Sequence, residues 1–298
     1  MTAKATGRLA LLLILALVPP WAAAVAQETA GAEPIMSCGD CHEQAAAFVF
    51  NPHARGSVKE GVVANATCES CHGDGTEHME SGGETDKITI PIGRAGADAT
   101  CLTCHDKTTA RRSHRSGVHA NSAAVNCLSC HSIHHAEEPR ALLVKSELAL
   151  CATCHSTQTA SFRGKPFAHR LGHAGMGCTS CHEPHGRAGR QSLRITASGE
   201  IACASCHREK HGPFVFEHGA LAAGDCMSCH EPHGSANPRQ LKRATVAQLC
   251  LECHSPTMVT TAGSQPPSFH NISSPRFQNC TTCHVAVHGS NRSPQLLK

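Results

Sequence analysis

Two nine-residue stretches of the chain are nearly identical, and each carries two cysteines and two histidines. They read CTSCHEPHG at residues 178–186 and CMSCHEPHG at residues 226–234. Their shared core, C-x-x-C-H, occurs ten times in the sequence and uses all 20 cysteines. The two thiols of this motif can form thioethers with the vinyl groups of a porphyrin, and the adjacent imidazole can bind the iron. C-x-x-C-H is therefore the attachment signature of a c-type haem.

The ten motifs predict ten covalently attached haems c. The attachment cysteines are Cys38, Cys41, Cys68, Cys71, Cys101, Cys104, Cys127, Cys130, Cys151, Cys154, Cys178, Cys181, Cys203, Cys206, Cys226, Cys229, Cys250, Cys253, Cys280 and Cys283. The proximal iron ligands are His42, His72, His105, His131, His155, His182, His207, His230, His254 and His284. Neither a zinc site of four cysteines nor a disulfide framework requires the histidine that completes every motif.

The remaining histidines can supply a second axial ligand to every iron, because ten of the 24 histidines are proximal and 14 are left. Six of them have no competitor in their intervals: His53, His78, His185, His233, His270 and His288. The other four places have two candidates each, namely His114 or His119, His134 or His135, His169 or His173, and His211 or His218. Spacing from the motifs favours His119, His134, His169 and His218. The methionines share no position relative to the motifs, so we interpret them as packing residues.

The motifs alternate between two types and form five two-haem modules. The modules cover roughly residues 38–78, 101–134, 151–185, 203–233 and 250–288. In each module the second motif is followed within six residues by a further histidine. In CHEPHG that histidine stands only three residues after the proximal one, so it cannot reach the opposite face of the same porphyrin. We expect it to bind the iron of a neighbouring haem.

Residues 1–26 are predicted to be a secretory signal peptide, with a basic start, an apolar run over residues 9–18 and a small-residue cleavage site. The apolar run is too short to span a bilayer. We expect residues 27–298 to form one decahaem cytochrome domain in the periplasm. Export fits the motifs, because haem c is attached outside the cytoplasm.

The fold class predicted for this domain is a multihaem cytochrome c, mostly irregular, with short α-helices wrapped around a stacked haem chain and little or no β-structure. The sequence has no tyrosine, eight phenylalanines and one tryptophan, which lies in the signal peptide. A chain so poor in aromatic residues builds a thin protein core, so the porphyrins must supply most of the buried apolar surface. Short helices are expected at residues 141–150 and 245–252, and one short strand at residues 88–90.

The charge balance gives no indication of nucleic-acid binding. The chain has 26 Lys and Arg against 23 Asp and Glu, a formal net charge of +3. Two propionates on each haem would make the loaded protein negative. We therefore expect no nucleic-acid partner.

The pattern of motifs resembles the periplasmic decahaem cytochromes of the MtrA/DmsE group, including the MtoA and PioA relatives. The resemblance covers nearly all of the chain after the signal peptide. Its specific pieces are CHEPHG at 181–186 and 229–234, HGPFVFEH at 211–218, QLCLECHSP at 248–256 and CTTCHVAVHGSN at 280–291. The resemblance implies a bis-histidine haem wire inside an outer-membrane β-barrel porin. An outer-surface multihaem cytochrome and a periplasmic or inner-membrane cytochrome would be its redox partners.

Three functions compete at this point. An electron conduit needs only six-coordinate irons, which leave no position for a substrate. A multihaem reductase needs a five-coordinate iron, but the sequence has no C-x-x-C-K motif and no tyrosine that could cross-link a haem. A free periplasmic electron carrier without a barrel is compatible with the same residues. We expect an electron-transfer protein with no catalytic residues rather than an enzyme.

Overall fold

A computed structural model describes residues 37–54, 67–105, 117–139, 141–173, 175–186, 192–196, 199–222, 224–254, 270 and 274–297. The predicted signal peptide and His114 lie outside the described residues. The chain divides into two compact units, residues 1–43 and 44–298. The first C-x-x-C-H motif belongs to the first unit, and the other nine belong to the second.

The described helices are short, and most of them lead into a haem-attachment motif or follow one. The α-helices are Gln44–Phe48, Glu69–His72, Thr76–Glu80, Gly93–His105, Glu147–Ala152, Ser156–Gly164, Arg208–His211, Gly219–Ala222 and Val246–Cys250. The 3-10 helices are Cys38–Asp40, Thr85–Lys87, Cys127–Ser129, Cys178–Ser180, Ala202–Ser205, Cys226–Ser228, Pro238–Gln240, Pro275–Phe277 and Cys280–Thr282. The second motifs of modules two to five therefore begin as 3-10 turns, whereas Cys101, Cys151 and Cys250 lie on α-helices.

Regular β-structure is minimal in the described part of the chain. Strand β1 (Phe216–Glu217) pairs antiparallel with β2 (Gly289–Ser290), with Phe216 opposite Ser290. Single β-bridges recur beside the second motifs, where His131 pairs with Leu143, His182 with Leu193 and His230 with Leu241. These bridges hold the loop after each motif against the proximal histidine.

The polypeptide buries very little apolar surface on its own. Among the described residues, the buried apolar side chains are Ala97, Leu142, Ala202 and Ala204. Large apolar side chains are instead exposed, and Phe50 and Ile92 are each 70% exposed. A protein core this small contributes little hydrophobic stabilisation to the fold. The expected kind of backbone is confirmed in the described residues, which form short helices, one two-stranded sheet and mostly irregular structure.

Two local predictions were wrong, both because a backbone carbonyl is used by a proximal histidine. The helix expected over residues 141–150 begins only at Glu147, because the carbonyl of Ala141 accepts a hydrogen bond from the His131 ring. The strand expected at residues 88–90 is absent from the described structure there, since the backbone of Thr89 pairs with His72. The helix expected over residues 245–252 runs from Val246 to Cys250, and the Thr245 hydroxyl caps it.

Within the described ranges, no helix combines the length and hydrophobicity that crossing a membrane requires.

Candidate haem-binding site

Each described motif forms one helical turn that places both cysteines and the histidine on one side. The backbone N–H of the histidine donates to the carbonyl of the first cysteine, for example His131 to Cys127 at 2.9 Å and His230 to Cys226 at 3.1 Å. A hydrogen bond over four residues is the repeat of an α-turn. The motif sequence thus presents two thiols and one imidazole to the same porphyrin.

The proximal rings are oriented by hydrogen bonds from Nδ1 to backbone carbonyls. Such bonds run from His72 to Thr89 (2.9 Å), His131 to Ala141 (2.9 Å), His230 to Arg239 (2.9 Å) and His284 to Gln295 (2.6 Å). Because a carbonyl can only accept, Nδ1 must carry the proton, and Nε2 keeps its lone pair for a metal. This arrangement of the second nitrogen is typical of metal-bound histidine.

In the second unit, each of the nine predicted proximal histidines faces one of the predicted distal histidines. The ring centres are separated by 5.8 Å in His53–His105, 6.0 Å in His72–His134, 6.1 Å in His119–His155, 5.9 Å in His131–His185, 6.2 Å in His169–His207, 5.9 Å in His182–His233, 6.1 Å in His218–His254, 6.3 Å in His230–His288 and 6.1 Å in His270–His284.

This spacing fits a metal ion between the two rings. A metal–imidazole bond measures about 2 Å and the ring centre lies about 1.1 Å beyond the nitrogen, so two imidazoles on opposite sides of one ion have centres about 6.2 Å apart. The donor set of two neutral imidazoles is the one that axial haem ligation uses. In the described part of the chain, no three His, Cys, Asp or Glu side chains gather as they would around a metal ion on their own. The facing imidazoles and the cysteines on the motif turns therefore fit haem.

The four choices between two candidates can now be compared with the geometry. His119, His134, His169 and His218 each face a proximal histidine. Of the alternatives, His135 contacts the ring of His134, and His173 is exposed. The ring of His211 lies 3.7 Å from the Glu200 carboxylate.

Two predicted ligands fall outside the nine pairs. His42 lies in the first compact unit, and His78 directs its Nδ1 to the carbonyl of Glu84 at 2.8 Å. The tautomer of His78 is thus the one that leaves Nε2 available. Their roles as proximal and distal ligands stay predictions.

Burial keeps several distal imidazoles neutral. It lowers the pKa of His134, His218, His233 and His288, and in each case the facing proximal imidazole lowers that pKa further. The neutral imidazole is the form that binds a metal. The distal sites are therefore prepared electrostatically for ligation near neutral pH.

The pairs link each module to the next. Eight of the nine cross a module boundary, two at each of the four junctions, and only His270–His284 lies within one module. At every junction, the histidine between the motifs of the earlier module faces the first proximal histidine of the later one. In return, the histidine after the second motif of the later module faces the second proximal histidine of the earlier one.

The residue before the distal histidine that follows a second motif is a further functional position, which the sequence analysis did not use. The carbonyl of Pro184 accepts a hydrogen bond from Nδ1 of His119 (3.0 Å), and that of Pro232 accepts one from His169 (3.3 Å). Val287 holds the same place in module five, and its backbone hydrogen-bonds His218. The residue before the second distal histidine thus orients the other distal histidine of the junction. Repetition of the proline and glycine in CHEPHG was the available signal.

The glycine that ends CHEPHG allows two segments to approach closely. Gly234 has φ +110°, and a Cβ placed there would lie 2.9 Å from Cβ of Lys165 and 3.0 Å from Cβ of Ala168. Only glycine adopts this conformation without strain. The segment that carries His169 therefore packs directly on the end of the second motif of module four.

The attachment cysteines of motifs two to ten neighbour one another in chain order. Within modules, the side chain of Cys101 neighbours that of Cys127, Cys151 neighbours Cys178, Cys203 neighbours Cys226 and Cys250 neighbours Cys280. Between modules, Cys71 lies close to Cys101 and Cys104, Cys130 to Cys154, Cys181 to Cys206 and Cys229 to Cys253. Each attachment site is thus next to the site that follows it in the sequence.

Comparison with known proteins agrees with this geometry. The model of the doubled CXXCH motif matches residues 119–160, 169–212 and 218–259. Each matched segment begins at a distal histidine and contains the proximal histidine that it faces, such as His119 and His155.

Two cytochromes resemble the chain over much of its length. It is 32% identical over 277 residues to the multiheme cytochrome MtrA of Shewanella baltica, covering 88% of this chain and 79% of that protein. It is 28% identical over 194 residues to the C-type polyheme cytochrome OmcB of Geobacter sulfurreducens, covering 65% of this chain and 21% of OmcB.

Proposed function

Because the chain belongs to the MtrA family of multihaem c-type cytochromes, we propose that it holds ten haems c between paired histidines and serves as the wire of an outer-membrane electron conduit. Membership of this family makes it an electron-transfer protein that carries covalently attached haem c, and not an enzyme. Haem iron supplies reversible one-electron chemistry when bound.

The facing imidazoles are the observation that carries this proposal. Nine proximal histidines have a second imidazole at 5.8–6.3 Å, on the side where a substrate would otherwise bind. Two neutral imidazoles per iron block inner-sphere chemistry and leave outer-sphere electron transfer. The chain would thereby exclude a substrate from these sites.

The order of the attachment sites supports a linear path. Cysteines such as Cys101 and Cys127, and then Cys130 and Cys154, lie near each other, so that neighbouring sites follow the order of the sequence. Ten sites in file would exceed the roughly 30 Å of a hydrocarbon layer. The irregular backbone could not face lipid, because its polar groups would lack partners. A wide outer-membrane β-barrel porin would therefore have to surround the wire.

The proposed partners follow from this position. A periplasmic or inner-membrane cytochrome would exchange electrons at one end, and an outer-surface multihaem cytochrome at the other. The protein would be exported to the periplasm and associate with the outer membrane through the barrel.

Two measurements test the proposal. The mass of the protein matured with haem-attachment machinery should show ten haem increments, and eight or fewer would contradict the module scheme. For the conduit, liposomes would enclose a redox dye, with a reductant outside. The dye should stay oxidised with the cytochrome alone and be reduced once a co-purifying barrel is added. Reduction by the cytochrome alone, or none with the barrel, would favour a free periplasmic carrier.

A further inference from the structure

A carboxylate joins the two haem-attachment motifs of modules two and three. In module two, Asp98 Oδ1 accepts the backbone N–H of Cys127 at 2.9 Å. In module three, Glu147 Oε1 accepts the backbone N–H of Thr179 at 2.7 Å. Asp98 and Glu147 stand three and four residues before Cys101 and Cys151. Each carboxylate thus spans from the approach to the first motif to the turn that opens the second.

The Asp98 carboxylate lies beside Cys127, whose side chain also neighbours that of Cys101. The Asp98 side chain is only 19% exposed. Arg94 Nε, at 3.9 Å, is the cation beside it, but that side chain is 42% exposed and also donates to the carbonyl of Ser122. The carboxylate is therefore less screened by solvent than its counter-ion.

The Glu147 carboxylate occupies a space that the sequence keeps open. A Cβ at Gly177 would lie 2.6 Å from both carboxylate oxygens of Glu147. Arg194 approaches the same turn and donates to the carbonyl of Thr179 at 2.9 Å. Because Gly177 has no side chain, the Glu147 carboxylate can lie beside the second motif.

Module five lacks this feature. The residues three and four positions before Cys250 are Ala247 and Val246, which carry no charge. Its two first cysteines, Cys250 and Cys280, are in contact just as in modules two and three. Glu252 lies inside the first motif of module five and is paired with Arg243. The molecule thus contains the same pair of attachment sites with and without an acidic residue on the approach to the first motif.

We propose that Asp98 and Glu147 are positioning residues that also lower the reduction potentials of the haem pairs of modules two and three relative to module five. The proposal rests on the proposed ten-haem function. A ferric haem carries one more positive charge than a ferrous haem, so a nearby carboxylate stabilises the oxidised state. Modules two and three would then release electrons more readily than the carboxyl-terminal end of the wire.

The expected effect is large enough to measure. For two charges about 10 Å apart at an effective dielectric constant of about 20, removing one changes the ratio of oxidised to reduced haem roughly tenfold. A tenfold change in a one-electron couple corresponds to about 59 mV. This shift should fall on the two haems of the altered module.

The test uses the holoprotein with Asp98→Asn and, separately, Glu147→Gln. Each amide keeps an oxygen that can accept the same N–H, so the hydrogen bond remains and only the charge is lost. Redox titrations followed by visible and paramagnetic-resonance spectra should show two haems moving to higher potential in each variant. Asp98→Glu restores the charge and should return the potentials towards those of the parent.

The matched control is Asp86→Asn, which removes an exposed carboxylate on the Thr85–Lys87 turn. It should leave the titration of modules two and three unchanged. Unchanged potentials in Asp98→Asn and Glu147→Gln, or an equal shift in Asp86→Asn, would overturn the proposal. Haem mass and low-spin spectra of the parent protein test the ten-haem function separately, so the two failures can be distinguished.

Discussion

The junction between modules three and four and the junction between modules one and two orient a distal histidine in different ways. In the first, His169 Nδ1 donates directly to the carbonyl of Pro232 at 3.3 Å. In the second, the buried side chain of Asn51 lies between the ring of the distal His53 and the carbonyl of Ile133. Its Oδ1 lies 3.0 Å from His53 Nδ1, and its Nδ2 donates to the carbonyl of Ile133 at 2.7 Å.

The residue that follows the other distal histidine also differs. Gly234 closes the junction between modules three and four, whereas His135 stands at that place between modules one and two. Where the glycine lets the two segments touch, a backbone carbonyl reaches the ring itself. Where a larger residue follows, a side-chain amide bridges the gap. The two junctions thus have the same arrangement of histidines, and the distal ring is oriented by a backbone carbonyl in one and by a side-chain amide in the other.

The largest effect is expected from removing a ligand, which tests whether His53 and His169 have the same task. His169→Ala should leave the iron attached at Cys203 and Cys206 with one axial ligand and give a high-spin signal from one iron in ten. His53→Ala should do the same for the iron at Cys101 and Cys104. Paramagnetic-resonance spectra at neutral pH measure both.

His173→Ala is the matched control for His169→Ala, since this exposed histidine lies four residues away. It should keep every iron low-spin. A high-spin signal in His173→Ala but not in His169→Ala would reverse the assignment of the distal ligand.

The glycine is the next test, because it is present at only one of the two junctions. Gly234→Ala places a Cβ 2.9 Å from Lys165 Cβ at φ +110°. We expect the free energy of unfolding to fall by about 2–3 kcal/mol. His135→Ala, at the matching place, should change it by about 0.5 kcal/mol or less. Denaturant unfolding of the holoprotein gives both values, and similar losses would mean that the two junctions pack alike.

Much of the site could be predicted from sequence, because a short contiguous motif specifies haem attachment. The five residues of a motif specify two thioethers and a proximal ligand, and the poverty in aromatic residues predicts the thin core. The partner of each distal histidine could not be predicted, since His134 faces His72 and His185 faces His131 across module boundaries. The helix and strand expected at residues 141–150 and 88–90 were wrong for a different reason: the rings of His131 and His72 bind the backbone carbonyls of Ala141 and Thr89.

The amide bridge is the third test. Asn51→Leu removes the bonds that Asn51 makes to His53 and to Ile133 at a site where Asn51 is only 8% exposed. Losing hydrogen bonds at a buried polar site should lower the free energy of unfolding by about 1–3 kcal/mol. The haem attached at Cys101 should also move to higher potential, because a hydrogen bond at Nδ1 makes the ligand more basic.

Asn51→Asp separates the two halves of the bridge. It keeps an oxygen for His53 but replaces the donor that faces the Ile133 carbonyl. The potential of the haem at Cys101 should then stay near or below that of the parent while stability falls. A rise in potential as large as in Asn51→Leu would show that the bond to Ile133, and not the bond to His53, controls the iron.

The smallest effect is expected from Pro232→Ala, because the group that orients His169 is a carbonyl, which any residue supplies. The same place is occupied by Ile133 in module two and by Val287 in module five, and Val287 still hydrogen-bonds His218 through its backbone. The lost ring frees the unfolded chain, which should lower the free energy of unfolding by only about 0.4–1 kcal/mol. The low-spin spectrum and the potential of the haem at Cys203 should match those of the parent. If this potential instead shifted as far as the one expected for Asn51→Leu at Cys101, the proline ring would be what positions His169, and the equivalence of a backbone carbonyl and a side-chain amide at the two junctions would fail.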